Sequence, residues 1–402
     1  MKIAVITSTF KPELSGVAEA VYTRCMHLAN SGHEILILAP DYSEIAHLFT
    51  DHTKYVGKIH PQISVKPYPS KSLKEKKDAR CMISRFKYTV DKDLESFEPD
   101  IIHVDEPYRI FGLRIFDGHM SRPGVSFARR HGIPITAMWH TDFVKYAEYY
   151  HSRFVRPIIV PPLTKLFSWV YNAYDRVFCH SQYGHDTLKN MGVNPAKLYV
   201  GTFHGINIDL FKPPDGISET DSFTILYVGR VEVEKNLDIL FDAYLKLKKE
   251  NQKINLHIIG DGAQLPELKE KYGKGSDIVF YGRMTQSELP YHYSRAHVFV
   301  NPSVTETFGN TVVEAALCNT PVIAARAGGH VDTVNDTFNG LLFDPSDPLD
   351  LYNKLRSVLE NSSLHQRLRE NSRKFGLEYD PSKVAHNFTV HFKELQSGIV
   401  SG

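Results

Sequence analysis

Compact apolar runs alternate with stretches of helical period along most of this chain. Residues 3–7 form a continuous apolar run, and after the loop 8–15 Val17, Val21, Cys25 and Leu28 recur at helical spacing, with Gly32 closing the helix. Residues 34–39, 100–104, 134–138 and 176–179 predict further strands. The run Pro213-Pro214-Asp215-Gly216 and the polar stretch 218–222 have a linker's composition, and the alternation then restarts. Residues 223–228 predict a strand, and Leu237, Leu240, Phe241, Tyr244, Leu245 and Leu247 mark an amphipathic helix. Strands follow at 256–259, 278–281, 297–300 and 321–324, and the tail 383–395 predicts a helix. Continuous apolar strands separated by helices imply parallel sheets covered on both faces. The expectation is an α/β chain with two doubly wound halves, 1–214 and 215–379, hinged near residue 215. The tail, about 380–402, crosses back to the first half. Two domains also suit 402 residues, more than one core accommodates. Ligands of such sheets bind beyond the carboxyl ends of the strands, so two facing domains share a cleft.

Composition narrows the class. With 42% hydrophobic and 23% charged residues and a formal net charge of +1, nothing global points to nucleic acid or membrane. Cys25, Cys81, Cys179 and Cys318 are scattered without metal spacing, which fits a reduced cytoplasmic protein. The opening MKIAVITSTF is too short for a signal peptide or a membrane span and reads as a first strand. One local exception is the dense basic run from Ser70 to Tyr88 (SKSLKEKKDARCMISRFKY). A solvated helix face or loop is its plainer reading. The functional one is peripheral contact with an acidic lipid surface or a phosphate-bearing acceptor.

Chemistry is expected at strand ends. The sequence NPSVTETFGNTVVEAA sets Glu306 in a strand-to-helix loop and Glu314 about a turn into a helix. Between them stand Phe308, Gly309, Asn310 and Thr311. A helix start offers free N–H groups to an anion, and a carboxylate accepts hydrogen bonds from both hydroxyls of a vicinal diol. Two such acceptors beside an anion site suit a ligand with two polyol rings joined by phosphate, such as a nucleotide-sugar. A solvated loop glutamate and an ordinary first-turn glutamate are the plainer alternative, countered by the buried apolar neighbours of Glu314. Arg230 follows a strand and Lys235 precedes the next helix, a guanidinium fork and a point charge suited to a diphosphate. Gly16 at the first helix start lets phosphate approach the backbone, or is a simple turn. His140 and Asp142 end a strand and could serve as hydroxyl donor, proton shuttle or base, although most of the 20 histidines must be structural. Gly282, Arg283 and Met284, with the nearby turn Gly260-Asp261-Gly262, suit either reading of a base edge or plain turns.

With these residues in view, the chain resembles glycosyltransferase family 4, retaining enzymes of the GT-B fold with two Rossmann-like domains. TETFGNTVVEAALCNTPVIA is similar to that family's E-x7-E segment, and GR followed by EKN to its phosphate-binding pair. HSQYGHDTLKNMGV and HGINIDLFKP fall where the family has its interdomain segments. The resemblance implies that Glu306 meets hydroxyls of the transferred sugar, helped by the backbone of Phe308, Gly309 and Asn310. Glu314 would hold the ribose diol, and Arg230 and Lys235 the diphosphate, assisted by the backbone at Gly16 and Thr311. His140 would sit beside the sugar and Arg283 beside the base. Departures from the family pattern are Ser15 before Gly16 in place of a paired glycine, Asn319 for glycine and Thr307 for proline.

The expected reaction moves a hexosyl unit from a nucleoside diphosphate sugar to an acceptor hydroxyl with retention of configuration. UDP-sugar is favoured over GDP-sugar. The acceptor is a membrane glycolipid, a diacylglycerol type or a small polyol, and HTDFVKYAEYYH resembles members that glycosylate membrane lipids. No cofactor and no divalent metal is expected, since the cations and helix start would stabilise the leaving diphosphate. No DxD-like acidic cluster marks a strand end. Three rivals stand beside this reading: a nucleotide-sugar epimerase of the same fold, a non-catalytic sugar-nucleotide- or lipid-binding protein, and an NAD-dependent oxidoreductase. The missing GxGxxG counts against the last.

Overall fold

The computed structural model describes residues 1–13, 15–49, 51–73, 76–82, 87–107, 122–150, 152–218, 220–251, 253–273, 275 and 277–398. The chain divides into two compact units. One comprises Met1–Val144, Phe154–Gly205 and Pro381–Gly402, and the other Lys145–Arg153 and Ile206–Asp380. The crossing at Gly205–Ile206 lies upstream of the boundary expected at residue 215. Ile206 and Phe211 are buried in the second unit's core, so the chain commits to that core before it reaches the Pro213-Pro214 run.

In the first unit β1 (Lys2–Thr7) leads through α1 (Gly16–Asn30) to β2 (Glu34–Pro40), the hairpin β3 (Gly57–His60) and β4 (Ile63–Tyr68), and a separate ribbon of β5 (Ser70–Leu73) and β6 (Lys76–Met82). Then come α2 (Lys87–Phe97), β7 (Ile101–Asp105), α3 (Val125–His131), β8 (Ile135–Trp139), α4 (Phe143–Tyr150, which from Lys145 onward belongs to the second unit), α5 (Arg156–Tyr171), β9 (Arg176–Cys179), α6 (Gln182–Asn190) and β10 (Leu198–Val200). The sheet order is β10-β9-β8-β7-β1-β2-β4-β3, parallel except where β3 meets β4. Strand alternation sends Ala4 and Ile6 into one core layer and Ile3 and Val5 into the other. Ser15 starts α1 by accepting the Ala18 N–H at 3.2 Å. Val21, Cys25 and Leu28 of α1 share a core layer with Val384, Phe388 and Phe392 of the last helix, α14 (Pro381–Ser397).

The second unit runs β11 (Phe223–Val228), α7 (Leu237–Glu250), β12 (Ile254–Ile259), α8 (Leu265–Tyr272), β13 (Ile278–Gly282), α9 (Leu289–Arg295) and β14 (Val298–Asn301). It continues with α10 (Asn310–Leu317), β15 (Val322–Ala325), α11 (His330–Thr333), β16 (Gly340–Phe343), α12 (Asp350–Glu360) and α13 (Ser362–Gly376). All neighbours in the order β13-β12-β11-β14-β15-β16 are parallel. Ile225 and Tyr227 face a layer with Leu240, Phe241 and Tyr244 of α7; Leu226 and Val228 face one with Val312, Val313 and Leu317 of α10. Both units are therefore the expected doubly wound α/β folds.

Sequence periodicity missed β3, β4, β10 and β16. The basic run was expected as a helix face or loop, whereas its described backbone is an antiparallel ribbon, Ser70 opposite Met82. The side chains of 71–89 lie outside the described residues. Among the described residues no helix is long and apolar enough to cross a membrane.

Candidate active site

Each sheet has one point where successive crossovers leave in opposite directions, and ligands of doubly wound sheets bind there. In the second unit this point lies between β11 and β14, because β11 leads to β12 on one side and β14 to β15 on the other. The loops leaving these two strands carry Arg230, Lys235 and Glu306.

Lys235 Nζ meets Glu306 Oε1 at 2.5 Å, with side chains 7% and 23% exposed. Burial alone would lift the Glu306 carboxyl, but Lys235, with His330 and Arg230 in support, brings it down to about 2. Burial would likewise lower Lys235, yet Glu306 and the Tyr146 hydroxyl raise it overall. Glu306 is thus a fixed carboxylate, an acceptor rather than a proton donor. Arg230 pairs at 2.7 Å with Glu234, which is wholly buried, and donates to the Tyr146 hydroxyl at 2.9 Å. Tyr227 donates to the Arg230 carbonyl at 2.6 Å, which fixes the loop.

Glycines hold both loops close. A Cβ on Gly329 would lie 2.3 Å from the Thr307 carbonyl oxygen, and the Gly329 N–H donates to the Glu306 carbonyl at 2.7 Å. A Cβ on Gly260 would lie 1.8 Å from the Gly229 oxygen, so the turn after β12 is a close support of the Arg230 loop. His330 is fully buried beneath Gly309, its Nδ1 3.3 Å from the Ala325 carbonyl, and burial lowers it to about 4.

The remaining expected residues of this unit spread out. Gly309, at φ 94, caps α10 ahead of Asn310, and Phe308 is buried edge-on to Tyr379. The Thr311 hydroxyl accepts from Asn301 at 3.4 Å. Glu314 is buried, as its neighbours suggested, and accepts from the Tyr293 hydroxyl at 2.9 Å. Arg283 is exposed after the edge strand β13, two strands from β11 and so about 10 Å away across the sheet. Geometry does not bring it to the Lys235–Glu306 pair.

In the first unit the corresponding point lies between β1 and β7. Gly16 is exposed at the start of α1. Asp105 ends β7, wholly buried, and pairs with Arg24 of α1. Burial pushes the Asp105 carboxyl up, but Arg24 and His103 together hold it well below its ordinary value. His140, just after β8, places Nε2 2.8 Å from Asp105 Oδ1 and Nδ1 2.9 Å from His180 Nε2. Burial lowers His204 to about 3 and takes His180 well below its ordinary value. Asp142 accepts from the Tyr183 hydroxyl at 2.9 Å and is buried. Sequence reasoning found His140 but missed Arg24, Asp105, His180 and His204. The pair Asp105-Glu106 at a strand end was the available signal.

The family model for glycosyltransferase family 4 matches residues 14–202, and that for glycosyl transferases group 1 matches residues 211–375. The chain belongs to glycosyltransferase family 4. A GDP-mannose-dependent alpha-mannosyltransferase of Corynebacterium glutamicum is 28% identical over 370 residues, covering 86% of this chain and 78% of that protein. The alpha-monoglucosyldiacylglycerol synthase of Streptococcus pneumoniae is 27% identical over 360 residues, covering 85% and 75%. Among solved structures, sucrose-phosphate synthase from Thermosynechococcus elongatus aligns with a TM-score of 0.73 at 19% identity, covering 99% and 100%. Anabaena HepE in complex with UDP aligns with a TM-score of 0.71 at 16% identity, covering 98% and 100%. The family 4 chain accordingly has the GT-B fold and is a glycosyltransferase.

Proposed function

We propose that this glycosyltransferase moves a hexosyl unit from a nucleoside diphosphate sugar to an acceptor hydroxyl with retention of anomeric configuration. The observation that carries the reading is the buried Lys235–Glu306 pair at the point where β11 and β14 diverge, beside Arg230. Glu306, kept ionised, accepts hydrogen bonds from hydroxyls of the transferred sugar, with backbone groups of Phe308, Gly309 and Asn310 alongside. Lys235 gives one of its three donors to Glu306, and the Arg230 guanidinium is positioned by Glu234 and Tyr146. Lys235 and Arg230, with the start of α10 at Thr311, hold the diphosphate. Glu314 takes the ribose hydroxyls and Arg283 the base. Asp142 serves the acceptor side.

In the transfer, the acceptor oxygen bonds to the anomeric carbon on the face from which the diphosphate oxygen departs. The departing phosphate takes the acceptor's proton, so no carboxylate nucleophile is formed. Lys235 and Arg230 meet the charge that develops on the leaving group, which makes a divalent metal there unnecessary. Relatives that use GDP-mannose and the neighbour that binds UDP support a nucleotide-sugar donor. We favour UDP-sugar, with GDP-sugar the other choice. The diacylglycerol synthase supports a lipid acceptor of glycolipid or diacylglycerol type over a small polyol. A cytoplasmic enzyme working at the membrane's inner face would use the basic ribbon for docking.

Mass spectrometry of a donor panel incubated with lipid and polyol acceptors tests the reading. A glycosylated acceptor is expected in the wild type, with kcat lowered about 100- to 1,000-fold in Glu306→Ala and in Lys235→Ala. Near-wild-type turnover in both variants would remove the site assignment. Conversion of donor without acceptor would mark an epimerase. NMR of the product should show an α-linkage from an α-donor, and a β-product would end the retaining claim. Glutamine in place of the lysines in residues 70–88 should weaken binding to anionic vesicles at low salt. Unchanged binding would return that ribbon to a solvated surface.

A further inference from the structure

We propose that His140, His180 and His204 form a binding site for a divalent transition-metal ion of the zinc type. One ring nitrogen from each lies within 4.8 Å of the others. The rings come from three segments of the first unit, after β8, after β9 and in the loop beyond β10. Their centroids are 4.8, 5.1 and 6.2 Å apart. Three converging imidazoles meet the ligand preference of zinc and leave a fourth position for water or a small anion.

Asp105 gives this cluster what a chance meeting of histidines lacks. Its Oδ1 lies 2.8 Å from His140 Nε2, which places the hydrogen on Nε2 and directs the Nδ1 lone pair at the cluster. A carboxylate behind a histidine is the arrangement that fixes the tautomer and raises the basicity of metal-bound imidazoles. Arg24 in turn holds the other Asp105 oxygen. Without an ion, His140 Nδ1 and His180 Nε2 share a hydrogen at 2.9 Å. Ion entry replaces that bond with two coordinate bonds while the His180 hydrogen moves to its Nδ1, so neither ring loses a proton overall. His140, His180 and His204 are buried, at 6%, 7% and 4% exposure, so a bound ion would be held away from bulk water.

The site is tested on the full chain, stripped with chelator and titrated with Co²⁺ as a spectroscopic stand-in for Zn²⁺. Intense visible absorption of four-coordinate Co²⁺ should rise to a stoichiometric endpoint and vanish when Zn²⁺ is added. His204→Ala and His180→Gln should each weaken Co²⁺ binding by more than the roughly 10- to 100-fold that loss of an outer partner costs. His185→Ala, altered in α6 outside the cluster, should titrate as wild type, with circular dichroism verifying each fold. A wild type showing only the pale spectrum of six-coordinate Co²⁺ would overturn the proposal. So would either cluster variant, folded, that binds Co²⁺ as tightly as wild type. The readout needs no turnover, so it stands or falls apart from the transfer reading.

Discussion

Lys235 and Glu306 stabilise each other because neither can reach enough water to be comfortable alone. With side chains 7% and 23% exposed, each charge depends on its partner more than a surface pair would. Substituting Lys235→Met should therefore strand a carboxylate and lower the unfolding free energy of the second unit by about 3 kcal/mol. The double variant with Glu306→Gln should recover part of that loss, since it leaves no unpaired charge. Urea unfolding of the two single variants and the double one measures this coupling, and simple additivity would show that the pair acts as two separate residues. Glu314 shows the same logic with a neutral partner: Tyr293 supplies the hydrogen bond that a buried carboxylate requires.

At the scale of elements, β14, its loop and α10 form one unit of function, and the turn between β15 and α11 clasps it. Gly329 has an ordinary helical backbone, φ −71, so alanine there meets no backbone strain. Its methyl would instead collide with the Thr307 carbonyl at 2.3 Å and push the loop that carries Glu306. Gly329→Ala should lower kcat/KM for donor by about 100-fold, the scale of an ångström's misplacement in a binding site. Steady-state kinetics against donor concentration checks it; an unchanged value would mean that the loop yields without moving Glu306. Gly328-Gly329 is visible in the sequence as a glycine pair, but its target is a backbone 21 or more positions upstream. Nothing local to either segment announces that approach.

For the whole molecule, burial sets the response to acid. His330 falls from its ordinary 6.5 to about 4 and Glu306 from 4.5 to about 2. In both cases the unfolded chain binds protons more readily than the folded one, so stability rises with pH across these windows. The His330 contribution is complete above pH 6.5 and is lost on the way to 4; that of Glu306 is complete above 4.5 and is lost on the way to 2. His103 and His297, each lowered to about 4 by burial, act in the same direction. The urea midpoint should fall steadily from pH 7 to 4, and His330→Gln should flatten that limb. A profile that is flat over this range would contradict neutral buried histidines.

The sequence by itself determined the two doubly wound units and the loops in which the candidate chemistry lies. Continuous apolar strands can be buried only between helices, and a residue just after such a strand must sit at the sheet's carboxyl edge. Lys235, Glu306 and His140 were legible for that reason, and Glu314 for its place among the apolar residues of α10. Tertiary structure alone decided their partners: Glu306 with Lys235, Glu314 with Tyr293, and His140 with Asp105 and His180. It also decided that the basic run pairs as a ribbon, since charge density carries no pairing register. These outcomes depend on which strand lies beside which. Strand order places residues 71 or 35 positions apart within a hydrogen bond of each other, and no local pattern encodes that order.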